Sequence, residues 1–353
     1  MTVARTRKQG KVRPARLTDL AALGELSRLC QTDDSGARSL GLPVSGPPIG
    51  VFSLFRLPLG AFRPNDLMYV YEEGGRIAGL IRVERESTRD EWTIVELDGV
   101  GMADAGDIRY RLVNQLLREG AKRGAARFHV ACADVDGNVE LMMQAGFIRY
   151  GEEQIMFRPD GELPKPWSDK ATAAARIRPA EQSDALALHR LYTAATPQPV
   201  ARLEAIRLPD WERQGNHWRV PRSSLAPILR FADIEAFVQE APGGGKDGTA
   251  LDGFLQVGVA KEDQPHYLKV LARPDADPTA LIGFGLGIIE ARTTKGSEHR
   301  HDHGVIAPVR TYEGPVDSRL EEAAFGTIAS VTLLMKETLV RVAEPALVPA
   351  GVR

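Results

Sequence analysis

Two segments far apart in the chain read alike, and that repeat limits the fold more than any other feature. Val12-Arg13-Pro14-Ala15 leads into Thr18-Asp19, a helix-start signal, followed by Leu20, Leu23, Leu26 and Leu29 at helical spacing. Ile177-Arg178-Pro179-Ala180 leads into Ser183-Asp184, followed by Leu186, Leu188 and Leu191. Val12 matches Ile177, Pro14 matches Pro179, Asp19 matches Asp184 and Leu26 matches Leu191 in a single register. One unit used twice is the simplest explanation, and 353 residues are enough for two domains that each bury a core.

The centre of the first unit lies between Trp92 and Phe147. Trp92 to Asp98 alternates and is β-rich, Gly99, Gly101 and Gly106 break the pattern, and Ile108 to Arg123 places Ile108, Leu112, Val113, Leu116 and Leu117 on one helical face. Gly124 stops that helix, Ala126 to Cys132 reads as a second strand, and Val139 to Gln144 as a short helix closed by Gly146-Phe147. Upstream, Met68 to Tyr71 and Ile77 to Val83 flank the hairpin signal Glu73-Gly74-Gly75-Arg76. Arg38 to Pro64 is rich in Gly and Pro yet apolar, which predicts a loop covering a cleft or a partner.

The second unit repeats the order. Ile234 to Gln239 and Gly253 to Val259 predict its hairpin, His266 to Arg273 its central strand and Thr279 to Arg292 its crossover helix. Gly304 to Tyr312, Ser318 to Ala324 and Ile328 to Val340 complete it, with a variable segment at Pro197 to Pro227. The predicted organisation is a basic tip at 1–11, a first domain at 12–159, a Pro-containing linker at 160–175, a second domain at 176–345 and a tail at 346–353.

The charge balance, 45 basic against 47 acidic residues, gives no general pull toward nucleic acid or a membrane surface. Cys30 and Cys132 are the only cysteines, no apolar run reaches the length of a membrane span, and no secretory pattern follows the basic start. A cytoplasmic protein is expected.

The strand, glycine loop and helix of the first unit, and the Asn138 … Gly146-Phe147 ending in particular, resemble the GNAT acetyltransferase superfamily. The resemblance covers both halves and implies an α/β (α+β) chain of two tandem GNAT-like domains, each a mixed central β-sheet flanked by helices. It further implies acetyl-CoA as the acyl donor and transfer to an amine on a small molecule or peptide. The acyl-CoA stretch of the family falls on Leu97, Gly99, Val100, Gly101, Gly106, Ile108, Arg109 and Arg111. Counting back from Leu112-Val113, two of the family's glycine positions are Asp107 and Arg109. Asp107 is read either as a carboxylate facing the phosphates, partly offset by Arg109 and Arg111, or as the N-cap of its helix. In the second unit Asp277-Pro278-Thr279 replaces the glycine loop, and Gly283, Gly285 and Gly287 fall inside the helix, where they allow close packing.

Acyl transfer to an amine needs a base for the ammonium proton. The family commonly places a carboxylate on the central strand, and here Glu96 and Asp98 stand there on one side of it, as a base acting directly or through water, or as salt-bridged strand carboxylates. The family's acid, a tyrosine four residues before Gly-Phe, is Met142 in the first unit and Leu320 in the second, which leaves solvent, Tyr110 or Tyr150. Glu298-His299-Arg300-His301-Asp302-His303 has metal-ligand types in a connecting segment and is read as a hydrated loop, so no metal is expected; Cys132 is read as core. Three readings result: an acetyltransferase working in the first unit, a binding or scaffolding module that has lost CoA, and a single site between the halves with Arg292 or Arg310 reaching the phosphates.

Overall fold

The computed structural model describes residues 10–29, 40, 66–85, 90–100, 105–135, 137–159, 176–214, 218, 220, 224–225, 229, 231–242, 250–260, 264–295 and 304–338. The first half runs β1 (Lys11–Pro14), α1 (Leu20–Leu29), β2 (Asp66–Glu73), β3 (Arg76–Arg85), β4 (Glu91–Gly99), α2 (Ala105–Lys122), β5 (Arg127–Cys132), α3 (Asn138–Gln144) and β6 (Ile148–Arg158). The second runs β7 (Ile177–Pro179), α4 (Ala185–Ala195), α5 (Gln198–Glu204), α6 (Leu208–Glu212), β8 (Phe231–Glu240), β9 (Leu251–Ala260), β10 (His266–Ala272), α7 (Thr279–Lys295), β11 (Val305–Arg310), α8 (Gly314–Glu322) and β12 (Gly326–Glu337). All the strands join in one mixed sheet, in the order β1-β2-β3-β4-β5-β12-β6-β11-β10-β9-β8-β7.

That order contains an exchange. The last strand of each half lies beside the other half: β12 pairs with β5, β6 pairs with β11, and the two pair with each other at the centre, all antiparallel. Arg310 faces Glu153 across one of these junctions and Met335 faces His129 across the other. Residues of both halves accordingly share one core, in which Leu225, Leu229, Tyr267 and Ile306 are buried together with Ile155, Val331 and Leu334.

Helices cover both sheet faces. Leu23 and Leu26 of α1 pack on Val70 and Leu80, while α2 lies on the other face, over Gly79, where Ile108 and Leu112 occupy the space a Cβ would need. In the second half α7 lies over Gly253 in the same way, through Leu281. At Gly285 of α7 a Cβ would run into Leu268 and Leu255, the close packing expected there, whereas Gly287 faces open space.

The repeated sequence has a physical cause. Arg13 donates to Asp19 at 2.6 Å and to Glu72 of β2 at 2.5 Å, while Asp19 also accepts the Arg16 amide at 2.7 Å. Arg178 donates to Asp184 at 2.7 Å and to Glu240 of β8 at 2.8 Å, and Asp184 accepts the Glu181 amide at 2.8 Å. Each clasp ties a short edge strand to its neighbour and to the following helix start. Asp19→Ala and Asp184→Ala should each lower stability by about 1–3 kcal/mol in urea melts, because a charged hydrogen-bonded pair and a turn cap are lost together. Equal midpoints for variant and wild type would remove the clasp as the reason for the repeat. The Arg13 guanidinium holds the Asp19 carboxyl below its usual range. That stability is therefore present above the ordinary carboxylate pKa and is lost as pH falls through the lowered folded value.

Some expectations change. α8 begins at Gly314, ahead of Ser318, because Pro315 suits a first helical turn. Pro197 to Pro227 contains α5 and α6, and β6 forms a long strand that the sequence pattern did not mark. Of Arg38 to Pro64 only Leu40 is described; it is buried in the core and its carbonyl accepts the Ala133 amide beyond β5. The linker and the histidine-rich segment 298–303 lie outside the described residues. No helix among the described residues is long and apolar enough to cross a membrane.

Candidate functional site

β4 and β5 run parallel only from Glu91 to Ile94, against Arg127 to Val130. At Val95 the register with β3 slips by one residue, so Ile94 pairs with Val83 but Glu96 with Arg82. A bulge of this kind bends its strand, and beyond it β4 no longer pairs with β5. The parallel pair opens there into a splay.

The bulge settles which side chains face the opening. Leu97 pairs with Ile81 and Gly99 with Gly79 on the face covered by α2, so Glu96 and Asp98 share the opposite face. Both carboxylates are buried, Glu96 at 7% exposure and Asp98 at 1%. Arg82, directly across, donates its Nε to Glu96 at 2.9 Å and fixes that side chain. Val100 continues the strand and donates its amide to the Ala78 carbonyl.

At the mouth of the splay α2 begins at Ala105, with Gly106 in its first turn; Gly101 lies outside the described residues. Asp107 is not the N-cap. It sits inside the helix and pairs with Arg111 one turn on, at 2.8 Å, both exposed. The helix starts earlier than the sequence suggested because Ala105 and Gly106 join it. Ile108 is core, and Arg109 reaches across to α3, donating Nη1 to Asn138 Oδ1 at 2.7 Å. Asn138 is 2% exposed, and its Nδ2 donor has no partner among the described residues.

The structure does not bring Tyr110 to the carboxylates. It stands exposed on α2, on the other face of the sheet. Tyr150 lies on β6 against His129, with ring centres 6.2 Å apart, and burial pushes its hydroxyl pKa up, which makes it a poor proton donor. Met142 and Leu320, at the family's tyrosine position, are core. Cys132 is core too, its thiol pushed up to about 12 by burial. His129 points the other way, to Glu91 at 3.2 Å.

The second half has the same splay with different contents. β10 and β11 pair only at His266 with Val305 and Tyr267 with Ile306. Gly253 pairs with Ala272 as Gly79 pairs with Gly99, each glycine under its crossover helix. Counting back from there, Lys269 stands where Glu96 does and Leu271 where Asp98 does. Lys269 is buried and donates to Glu313 at 2.8 Å and to the Pro308 carbonyl at 3.1 Å. Arg310 pairs with Glu153 at 2.9 Å and Glu204 at 3.2 Å, and Tyr192 donates to Glu204 at 2.5 Å. What remains is a cavity of about 10 Å³ beside Tyr192, Thr196 and Tyr312, room for about one water.

The helix start is taken as well. Asp277 accepts from the Thr279 amide at 3.1 Å and pairs with Arg319 at 3.1 Å, so a carboxylate already occupies the amino end of α7. Arg292 is held on the surface by Glu235 at 2.6 Å. Arg310, buried in its pairs with Glu153 and Glu204, is not placed to reach a phosphate, which weighs against a site shared between the halves. The signal that sequence reading missed is Lys269 in the place of Glu96; only the sheet register reveals it.

No protein-family model matches the sequence, and no curated protein matches it either. Solved structures do. A tandem GNAT protein from the clavulanic acid biosynthesis pathway, solved without AcCoA, superposes with a TM-score of 0.53 at 13% identity, covering 93% of this chain and 98% of that one. A GCN5-related N-acetyltransferase from Sphaerobacter thermophilus gives 0.54 at 14% identity, covering 94% and 96%. The chain has the tandem GNAT fold. Within it, the first GNAT-like half carries two buried carboxylates, Glu96 and Asp98, beside its splay, and the second has filled its own with ion pairs.

Proposed function

We propose that the first GNAT-like half binds acetyl-CoA along β4 and transfers its acetyl group to an amine on a small molecule or peptide. The observation that carries this reading is the contrast between the two splays: beyond the parallel stretch of β4 the first half places Glu96 and Asp98, with Arg109 tied to Asn138 near the start of α2, whereas in the second half Lys269, Leu271 and the capping Asp277 take the equivalent places.

The residues present fit the donor. The orphan Nδ2 of Asn138 offers a buried hydrogen bond, and Arg109 with the amino end of α2 offers positive charge to a pyrophosphate. Asp107 and Arg111 neutralise each other at the rim. Bound acetyl-CoA supplies an activated thioester carbonyl. Glu96, held by Arg82, takes the proton that the acceptor nitrogen loses as it forms the amide bond, and the departing thiolate takes its proton from solvent. Asp98 stands on the same face two residues on, where a carboxyl suits an amine acceptor. The balanced charge of the chain supports an amine acceptor over nucleic acid or a membrane surface.

Calorimetric titration with acetyl-CoA and with free CoA tests this directly. Micromolar, one-to-one binding is expected, and Arg109→Glu should weaken it by at least about 30-fold, since a charged partner becomes a repulsive one. Absence of heat and of any thermal shift at millimolar ligand would leave a binding module that has lost CoA.

A further inference from the structure

We infer that the second half, closed to ligand itself, acts as a positioning partner for the first half's cleft, through Lys336 on β12. The inference rests on the reading of that cleft as a CoA site. Lys336 lies opposite Phe128 of β5, on the sheet face where α2 packs. Its ammonium donates to the Ala145 carbonyl at 2.6 Å, at the carboxyl end of α3. There it satisfies a terminal carbonyl and meets the negative end of the helix.

The adjoining glycine is shaped to this contact. Gly146 has φ +87°, and a Cβ there would come within 2.5 Å of Lys336 Nζ. The backbone favours a glycine here, and a side chain at this position would push the ammonium away from the Ala145 carbonyl.

The other end of α3 is the functional one. Its first residue, Asn138, holds Arg109 through Oδ1 and presents the orphan Nδ2. A helix of seven residues moves as one piece, so the clamp at Ala145 also sets where Asn138 and Arg109 stand. Lys336 is supplied by the opposite half because the last strands are exchanged. The second half thereby supports the first half's ligand site.

The test is CoA titration of the full chain well below its melting temperature, with wild type, Lys336→Met, Lys336→Arg and Thr338→Val. Thr338 anchors the end of the same strand to the Ala125 carbonyl, away from α3. Lys336→Met should weaken CoA roughly three- to tenfold, the size of a helix-end charge contact, Lys336→Arg should restore most of it, and Thr338→Val should leave affinity unchanged. If Lys336→Met melts earlier but binds CoA as wild type does, Lys336 is merely structural and the inference is overturned. If both Lys336→Met and Thr338→Val lose affinity equally, general loosening of β12 is the cause and it is overturned again. Absence of wild-type binding would instead bring down the CoA reading, a separate and prior result.

Discussion

Arg310→Met should cost the folded chain about 3–5 kcal/mol, the largest loss expected from a single substitution in this molecule. Arg310 is 4% exposed and pairs with Glu153 and Glu204, whose side chains are 0% and 1% exposed. Removing it leaves two carboxylates buried against each other at the junction of the halves. Each must then stay buried without its cation, keeping only the hydrogen bonds from Tyr192 and Ser224, or take up a proton on folding. Burial already raises the Glu204 carboxyl above its usual range. The deficit should therefore grow as pH rises above the ordinary carboxylate pKa and shrink as pH falls toward it, where the unfolded chain binds the same protons. Urea melts of wild type and variant at several pH values would show this. A variant as stable as wild type would mean that apolar packing alone holds the halves together.

The second large effect is on rate. Glu96→Gln should lower turnover by roughly a hundred- to ten-thousandfold, the usual contribution of a general base, while CoA affinity stays within about twofold. Gln preserves the shape of the side chain and can still accept a hydrogen bond from Arg82, so proton acceptance is lost together with the charge of the Arg82 pair, and an unchanged CoA affinity separates the first from the second. Thiol release with a panel of small amines and peptides would follow the reaction. Full activity would take Glu96 out of the mechanism, and a steep loss in Asp98→Asn in its place would move the role two residues along the strand.

Much of this architecture could be read from the sequence because its signals are local. The apolar face from Ile108 to Leu117 specifies α2, and the clasps at Arg13 and Arg178 explain why the repeat survives at those positions. The carboxylates on β4 were legible too, since alternation along a strand fixes their common side. The seam was not. β6 reads Ile-Arg-Tyr-Gly-Glu-Glu-Gln-Ile-Met-Phe-Arg, with too many charges for a central strand, and its compensating partner Arg310 lies on a strand of the other half. Nor could the filling of the second splay be foreseen, because Lys269 and Glu313 meet only through the fold. Asp107 misled because it is a strong cap by type, whereas the helix already begins at Ala105 and leaves it in the first turn, paired with Arg111.

The exchange of last strands also bears on how the protein behaves among its own copies. Cut at its midpoint, a sheet like this would present β12 and β6 as long, unpaired borders, open to any other strand in the cell. Paired with each other, neither is open. The borders that do remain are β1 and β7, short strands ending in Pro14 and Pro179 and locked by the two arginine clasps, which give an incoming chain little to zip onto.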